Sequence, residues 1–88
     1  MNKILICGAG GFIGGHLVSH FLKQGHKNIR AVDIKPLDQW YQKFDFVENL
    51  QLDLEKEDNC AVAANDAKII YNLAANMGGM GFIENNKT

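Results

Sequence analysis

Lys3-Ile4-Leu5-Ile6-Cys7-Gly8-Ala9-Gly10-Gly11-Phe12-Ile13-Gly14 is the stretch from which the rest of the chain can be read. Lys3 to Cys7 is a short apolar run rich in isoleucine and ended by glycine, the pattern of a strand buried on both faces of a parallel sheet. Gly8-Ala9-Gly10-Gly11 is a turn. From Phe12 to Gln24 the spacing becomes helical: Ile13, Leu17 and Phe21 recur at i, i+4, and Val18 and Leu22 widen the stripe. Gly25 stands where helices commonly end.

Downstream, Ile29 to Asp33 reads as a second strand, and Pro36 closes the stretch after it. Residues 37–43 (Leu-Asp-Gln-Trp-Tyr-Gln-Lys) fit either a short helix or a loop. Leu50-Gln51-Leu52 predicts a third strand reaching Asp53. Glu55 to Asn65 is alanine-rich and acidic at its start, which suits a helix by propensity and by dipole. Lys68 to Asn72 predicts a fourth strand, followed by the glycine- and methionine-rich Met77-Gly78-Gly79-Met80-Gly81. Strand, helix, strand, then strand, helix, strand predicts a parallel α/β sheet ordered 3-2-1-4 with helices on both faces, half of a doubly wound Rossmann-type fold. The fourth strand lacks the fifth that would normally cover it, and an uncovered apolar edge invites association.

Bulk properties bound the function. The 88 residues suffice for one small domain, and 47% hydrophobic with 22% charged residues is an ordinary globular balance. A net charge of −1 with interspersed signs supplies no basic surface for nucleic acid. Cys7 and Cys60 stand in no metal-ligand spacing, and two distant cysteines argue against a disulfide framework and for a reducing cytoplasm. The apolar run at the N-terminus is too short for a signal peptide, and no stretch has the length to span a bilayer.

The glycine turn carries the chemistry. A diphosphate can rest on a helix N-terminus only if backbone N–H groups reach it, and side chains in the turn would hold it away. The spacing G-x-G-x-x-G from Gly8 fails at Ile13, whereas G-x-x-G-x-x-G is met by Gly8, Gly11 and Gly14. A purely structural turn also uses glycine; the position between a buried strand and an amphipathic helix separates the two. Asp33 ends the second strand about 20 residues after the glycines, where a carboxylate accepts hydrogen bonds from ribose hydroxyls. It would repel a 2′-phosphate, so NAD is expected over NADP, with Lys35 close by leaving some tolerance for NADP. Asp53, after the third strand, fits either the adenine edge or a helix N-cap ahead of Glu55-Lys56-Glu57.

These segments resemble the extended short-chain dehydrogenase/reductases, and among them the NAD-dependent nucleotide-sugar epimerases and dehydratases. Cys7 to Gly14 is similar to that family's glycine turn, with Cys7 in place of the usual threonine. Asp33 and Asp53 fall at its ribose and adenine positions, and Asn72-Leu73-Ala74-Ala75 resembles the strand that lies against the cofactor. The run from Asn72 to Ile83 resembles the GDP-mannose 3,5-epimerases of this family, with Asn76 where they carry aspartate. The resemblance implies that Gly8, Gly11, Phe12, Ile13, Gly14, Asp33, Ile34, Lys35, Asp53, Leu54, Leu73, Ala74 and Ala75 line NAD. It further implies that Gly78, Gly79 and Met80 approach a nucleotide-sugar substrate.

An enzyme of this kind is expected to oxidise the sugar at C4 with NAD, to move a proton on the acidified neighbouring carbon, and to recover the hydride. Its base is the tyrosine of a Tyr-x-x-x-Lys pair. That pair is absent: Asp45 follows Tyr41 by four residues and Ala75 follows Tyr71. No catalytic residue is therefore expected here, Cys60 included, and residues 1–88 are expected to be the N-terminal part of an NAD-binding domain, inactive alone. The resemblance also implies a homodimer for the whole protein. A dehydratase or decarboxylase of the same family, and a non-catalytic NAD-binding module, are the competing readings. His16 and His20 have the i, i+4 spacing of metal ligands but no third ligand, and a solvated helix face is expected for them. Trp40 and Tyr41 fit either a local apolar cluster or a flank of the adenosine.

Overall fold

The computed structural model describes residues 3–74. They form strand β1 (Lys3–Cys7), helix α1 (Phe12–Lys23), strand β2 (Ile29–Asp33), a single 3₁₀ turn (Leu37–Gln39), strand β3 (Glu48–Gln51), helix α2 (Glu57–Ala64) and strand β4 (Ala67–Asn72). The four strands make one parallel sheet in the order β3-β2-β1-β4. The predicted fold class and strand order are borne out.

β1 and β2 are central and apolar, so their alternate side chains feed two cores. Ile4, Ile6, Ile29 and Ala31 pack with Val18, Trp40 and Val47, and Leu17, Phe21 and Leu22 of α1 close that side. Leu5, Cys7 and Val32 face the other way, against Leu54, Cys60, Ala63 and Ala67. One helix therefore covers each face. Beyond β4 no further strand lies among the described residues, and Ile69 and Tyr71 stand exposed there.

α1 ends as its sequence predicts. Gly25 takes a positive φ of 92°, its N–H donates to the Leu22 carbonyl at 3.0 Å, and the His26 N–H donates to that of Phe21 at 3.0 Å. This is the Schellman arrangement, which satisfies carbonyls that the helix leaves open. Leu17, Val18, Phe21 and Leu22 of the predicted stripe pack on the core, and Ile13 alone does not. Gly14, Gly15 and Val18 are the buried residues, and Ile13 is 67% exposed. Small residues let the helix settle closely over the turn, and this rotates the contact face away from Ile13.

Several boundaries also differ; β3 ends at Gln51, short of the predicted Asp53, and β4 begins at Ala67, one residue before the predicted Lys68. β3 starts at Glu48, earlier than the predicted Leu50, because an outer strand can carry polar residues with no burial cost. α2 begins at Glu57 instead of Glu55, because the Asp53 carboxylate accepts the Glu55 N–H at 3.0 Å and holds a separate turn ahead of the helix. Residues 37–39 resolve to the short-helix alternative, as one 3₁₀ turn.

At the strands' N-terminal side Arg30 is 7% exposed and held through Nε and Nη1. Its Nη1 donates to the carbonyls of Ala63 at 2.6 Å and Asn65 at 2.8 Å, satisfying the end of α2, while Nε donates to Glu48 at 2.9 Å. Lys3 donates to the same Glu48 oxygen at 3.1 Å. Partial burial raises the Glu48 carboxyl, but the hydrogen bonds and charges of Arg30 and Lys3 outweigh it and hold it below its usual 4.5. A depressed carboxyl contributes stability above its unfolded value and loses it as pH falls through the folded one. We expect the thermal midpoint of Glu48→Gln to lie below wild type at about pH 7 and the gap to close by about pH 3. Thermal melts across that range check it; a gap that widens in acid would contradict the ion pair.

Candidate functional site

The chain leaves β1 through the glycine turn, runs to β2 and β3 on one side of β1, and returns to β4 on the other. The loops after β1 and β4 therefore diverge at the C-terminal ends of the strands, where doubly wound sheets open a crevice. A cleft of about 310 Å³ lies there, lined by Gly8, Gly11, Asp33, Ile34, Leu52, Asp53, Leu54, Glu55, Leu73 and Ala74.

Each glycine of the turn answers a different demand. Gly8 has φ 84°, which side chains rarely adopt, and a Cβ there would stand 2.9 Å from the Leu73 backbone. A Cβ at Gly14 would be 2.2 Å from the Gly8 carbonyl oxygen, so this residue is what lets α1 approach β1. At Gly10 a Cβ would meet the Trp40 ring at 2.8 Å and the Asp33 carboxyl carbon at 3.0 Å. Gly11 is different. Its Cβ would find only the Gly8 carbonyl oxygen, at 3.6 Å, and otherwise stand clear at the wall of the cleft.

Gly11 is also the N-cap of α1, whose first turn has no side-chain cap and no acidic residue. A helix start with open N–H groups and partial positive charge is a favourable seat for an anion. Across the cleft, Asp33 Oδ2 accepts the Gly10 N–H at 2.8 Å and Oδ1 accepts the Lys35 N–H at 3.0 Å. An ionised carboxylate has roughly four acceptor positions, so two remain for donors from a ligand. Asp53 faces the same cleft beyond it, held by its turn with Glu55. The arrangement offers donors for an anion at one end and acceptors for hydroxyl or amino groups at the other.

The structure brings Gly8, Gly11, Asp33, Ile34, Asp53, Leu54, Leu73 and Ala74 to one cleft. Phe12 and Ile13 are exposed on the first turn of α1, Gly14 is buried beneath the glycine turn, and Lys35 is exposed after β2. Ala75, Gly78, Gly79 and Met80 lie outside the described residues. Sequence reasoning missed Leu52 and Glu55, which also line the cleft; their only signal was adjacency to Asp53 and Leu54. His16 packs edge-on to Phe12 at 4.5 Å between ring centroids, and His20 packs against Phe21 at 5.6 Å. Among the described residues no three ligating side chains gather as a metal site would need. No described helix is long and apolar enough to cross a membrane.

A family profile described as the 3-beta hydroxysteroid dehydrogenase/isomerase family matches residues 5–88. The chain belongs to that family. Within the 3-beta hydroxysteroid dehydrogenase/isomerase family, the resemblance to extended short-chain dehydrogenase/reductases is borne out. GDP-mannose 3,5-epimerase 1 of Oryza sativa subsp. indica is 42% identical over 84 residues, 96% of this chain, and GDP-mannose 3,5-epimerase of Arabidopsis thaliana is 39% identical over the same length. The chain spans 22% of the length of either relative. Among solved structures, a UDP-glucose 4-epimerase of Thermus thermophilus in complex with NAD matches with a TM-score of 0.70 over 83% of this chain and 24% of that one. At 22% identity that likeness is one of fold.

Proposed function

We propose that the chain is the NAD-binding part of a nucleotide-sugar epimerase similar to the GDP-mannose 3,5-epimerases, which works by transient oxidation at sugar C4. The observation that carries the proposal is the open space at Gly11, between the start of α1 and Asp33. It is a cradle that any side chain would fill, which supports a diphosphate seat there. The diphosphate would lie over Gly11 and the first turn of α1. Asp33 would accept from the ribose hydroxyls, and Asp53 would meet the adenine edge. Ile34, Leu54, Leu73 and Ala74 would form the cleft's apolar wall. NAD, when bound, supplies a hydride acceptor that is regenerated.

These residues hold the dinucleotide and do not perform acid–base steps, since no tyrosine in the sequence is followed four residues later by lysine. The nucleotide-sugar, met by Gly78, Gly79 and Met80, and a homodimeric assembly belong to the whole protein in this proposal. The 42% identity to a GDP-mannose 3,5-epimerase supports this substrate class.

Calorimetric titration with NAD and NADP tests the proposal. A 2′-phosphate would enter beside the Asp33 carboxylate, so NADP should bind about tenfold to hundredfold more weakly than NAD. Absence of NAD binding, or an equal affinity for both, would sink it.

A further inference from the structure

Trp40, the one tryptophan of the sequence, takes part in none of the contacts proposed above for the ligand. It is 8% exposed, although Asp38, Gln39 and Tyr41 around it are exposed. Its indole Nε1–H donates to the Lys35 carbonyl at 2.9 Å, which draws the residues after β2 back on themselves. Its ring fills the space beside Gly10, where a Cβ would come within 2.8 Å of Cδ1. The next residue, Tyr41, donates its N–H to the Gly10 carbonyl at 2.9 Å.

Asp33 closes the circuit, taking the Gly10 N–H on Oδ2 and the Lys35 N–H on Oδ1. The path from Asp33 through Lys35, Trp40 and Tyr41 to Gly10 and back to Asp33 is therefore a circuit of four hydrogen bonds joined by the chain, with the indole as one of its links and its ring beside Gly10. Both backbone polar groups of Gly10 are used, and Gly11 follows immediately. We propose that Trp40 is a positioning residue for the dinucleotide, fixing the spacing between the ribose acceptor Asp33 and the diphosphate seat at Gly11. The inference rests on the NAD reading of the cleft.

A ligand that spans two anchors benefits from both only if their spacing is held beforehand; otherwise ordering the loop is subtracted from binding. A ligand that reaches one anchor is indifferent to that spacing. NAD spans both, whereas adenosine reaches only the Asp33 and Asp53 side.

The test compares the two ligands on wild type and Trp40→Phe, which retains a ring beside Gly10 and removes the Nε1–H donor. NAD affinity is expected to fall about tenfold, as for one lost hydrogen bond. Adenosine affinity, followed by NMR, should change by less than about twofold on the same grounds. An equal loss for both ligands, or no loss for NAD, overturns the proposal. Should Trp40→Phe not fold, amide hydrogen exchange on the free wild-type chain decides. Slowed exchange at Gly10 and Tyr41 supports a circuit formed before binding, and exchange at the unstructured rate overturns it. A wild type that fails to bind NAD removes the NAD reading and this inference together. NAD binding that is insensitive to Trp40→Phe removes this inference alone.

Discussion

Replacing Gly14 by alanine is expected to lower the thermal midpoint by about 10 °C or more. Two effects oppose each other. Alanine is the better helix former, and in an exposed helix interior the change would stabilise by about 1 kcal/mol. Here the added Cβ would sit 2.2 Å from the Gly8 carbonyl oxygen, 2.7 Å from Ala9 Cα and 2.8 Å from the Gly8 carbonyl carbon. All three are backbone atoms of the turn, so no side chain can swing aside, and α1 must lift from β1. Overpacking of this kind costs roughly 1–3 kcal/mol where neighbours can relax, and more where backbone must move. The clash wins, with a net loss of about 2 kcal/mol or more. Circular dichroism melts of the two proteins check it. A raised midpoint would mean that propensity dominates and that α1 does not lie this close.

Gly11→Val is expected to do the opposite: to leave the fold nearly intact and remove the ligand. Gly11 sits at φ −87° and ψ 178°, extended backbone that valine adopts readily, and its Cβ would make one ordinary contact at 3.6 Å. The loss at an N-cap position is small, about 1 kcal/mol or less. The isopropyl group, however, would occupy the wall of the cleft where a diphosphate must come within hydrogen-bonding reach of the backbone. Hydrogen bonds to a charged group contribute about 1.5–3 kcal/mol each, so losing two weakens NAD by about 100-fold or more. Melts and NAD titrations on the same preparation check both halves. Unchanged affinity would place the diphosphate elsewhere, whatever became of the midpoint.

The contrast between these two glycines also shows what can be read from sequence. β1 and β2 were legible to the residue because they are central, apolar and buried on both sides. β3 was legible only through Leu50, since Glu48, Asn49 and Gln51 look nothing like a buried strand and need not on an outer position. The spacing of Gly8, Gly11 and Gly14 pointed to a turn shaped for close approach. It could not say that Gly14 serves the helix–strand contact while Gly11 faces the cleft, because that division depends on which way each absent side chain would point. Ile13 alone of the predicted stripe was misplaced, for the same reason: glycine at 14 carries no hydrophobic signal yet makes the closest contact. Trp40 was open between two readings because the sequence brings it nowhere near Gly10; only the return of residues 35–41 over the turn does that.

Asp33 gives the site one further property. Its two oxygens already restrain the amides of residues 10 and 35 before any ligand arrives. In the proposed NAD site, selectivity between the two nicotinamide dinucleotides and the integrity of the loop thus rest on a single side chain. An engineer who exchanges that acid for a neutral residue, to admit a phosphorylated ribose, also unfastens the loop that must grip it. In that proposed site, conversion to the other cofactor has to begin by giving those two amides a new acceptor.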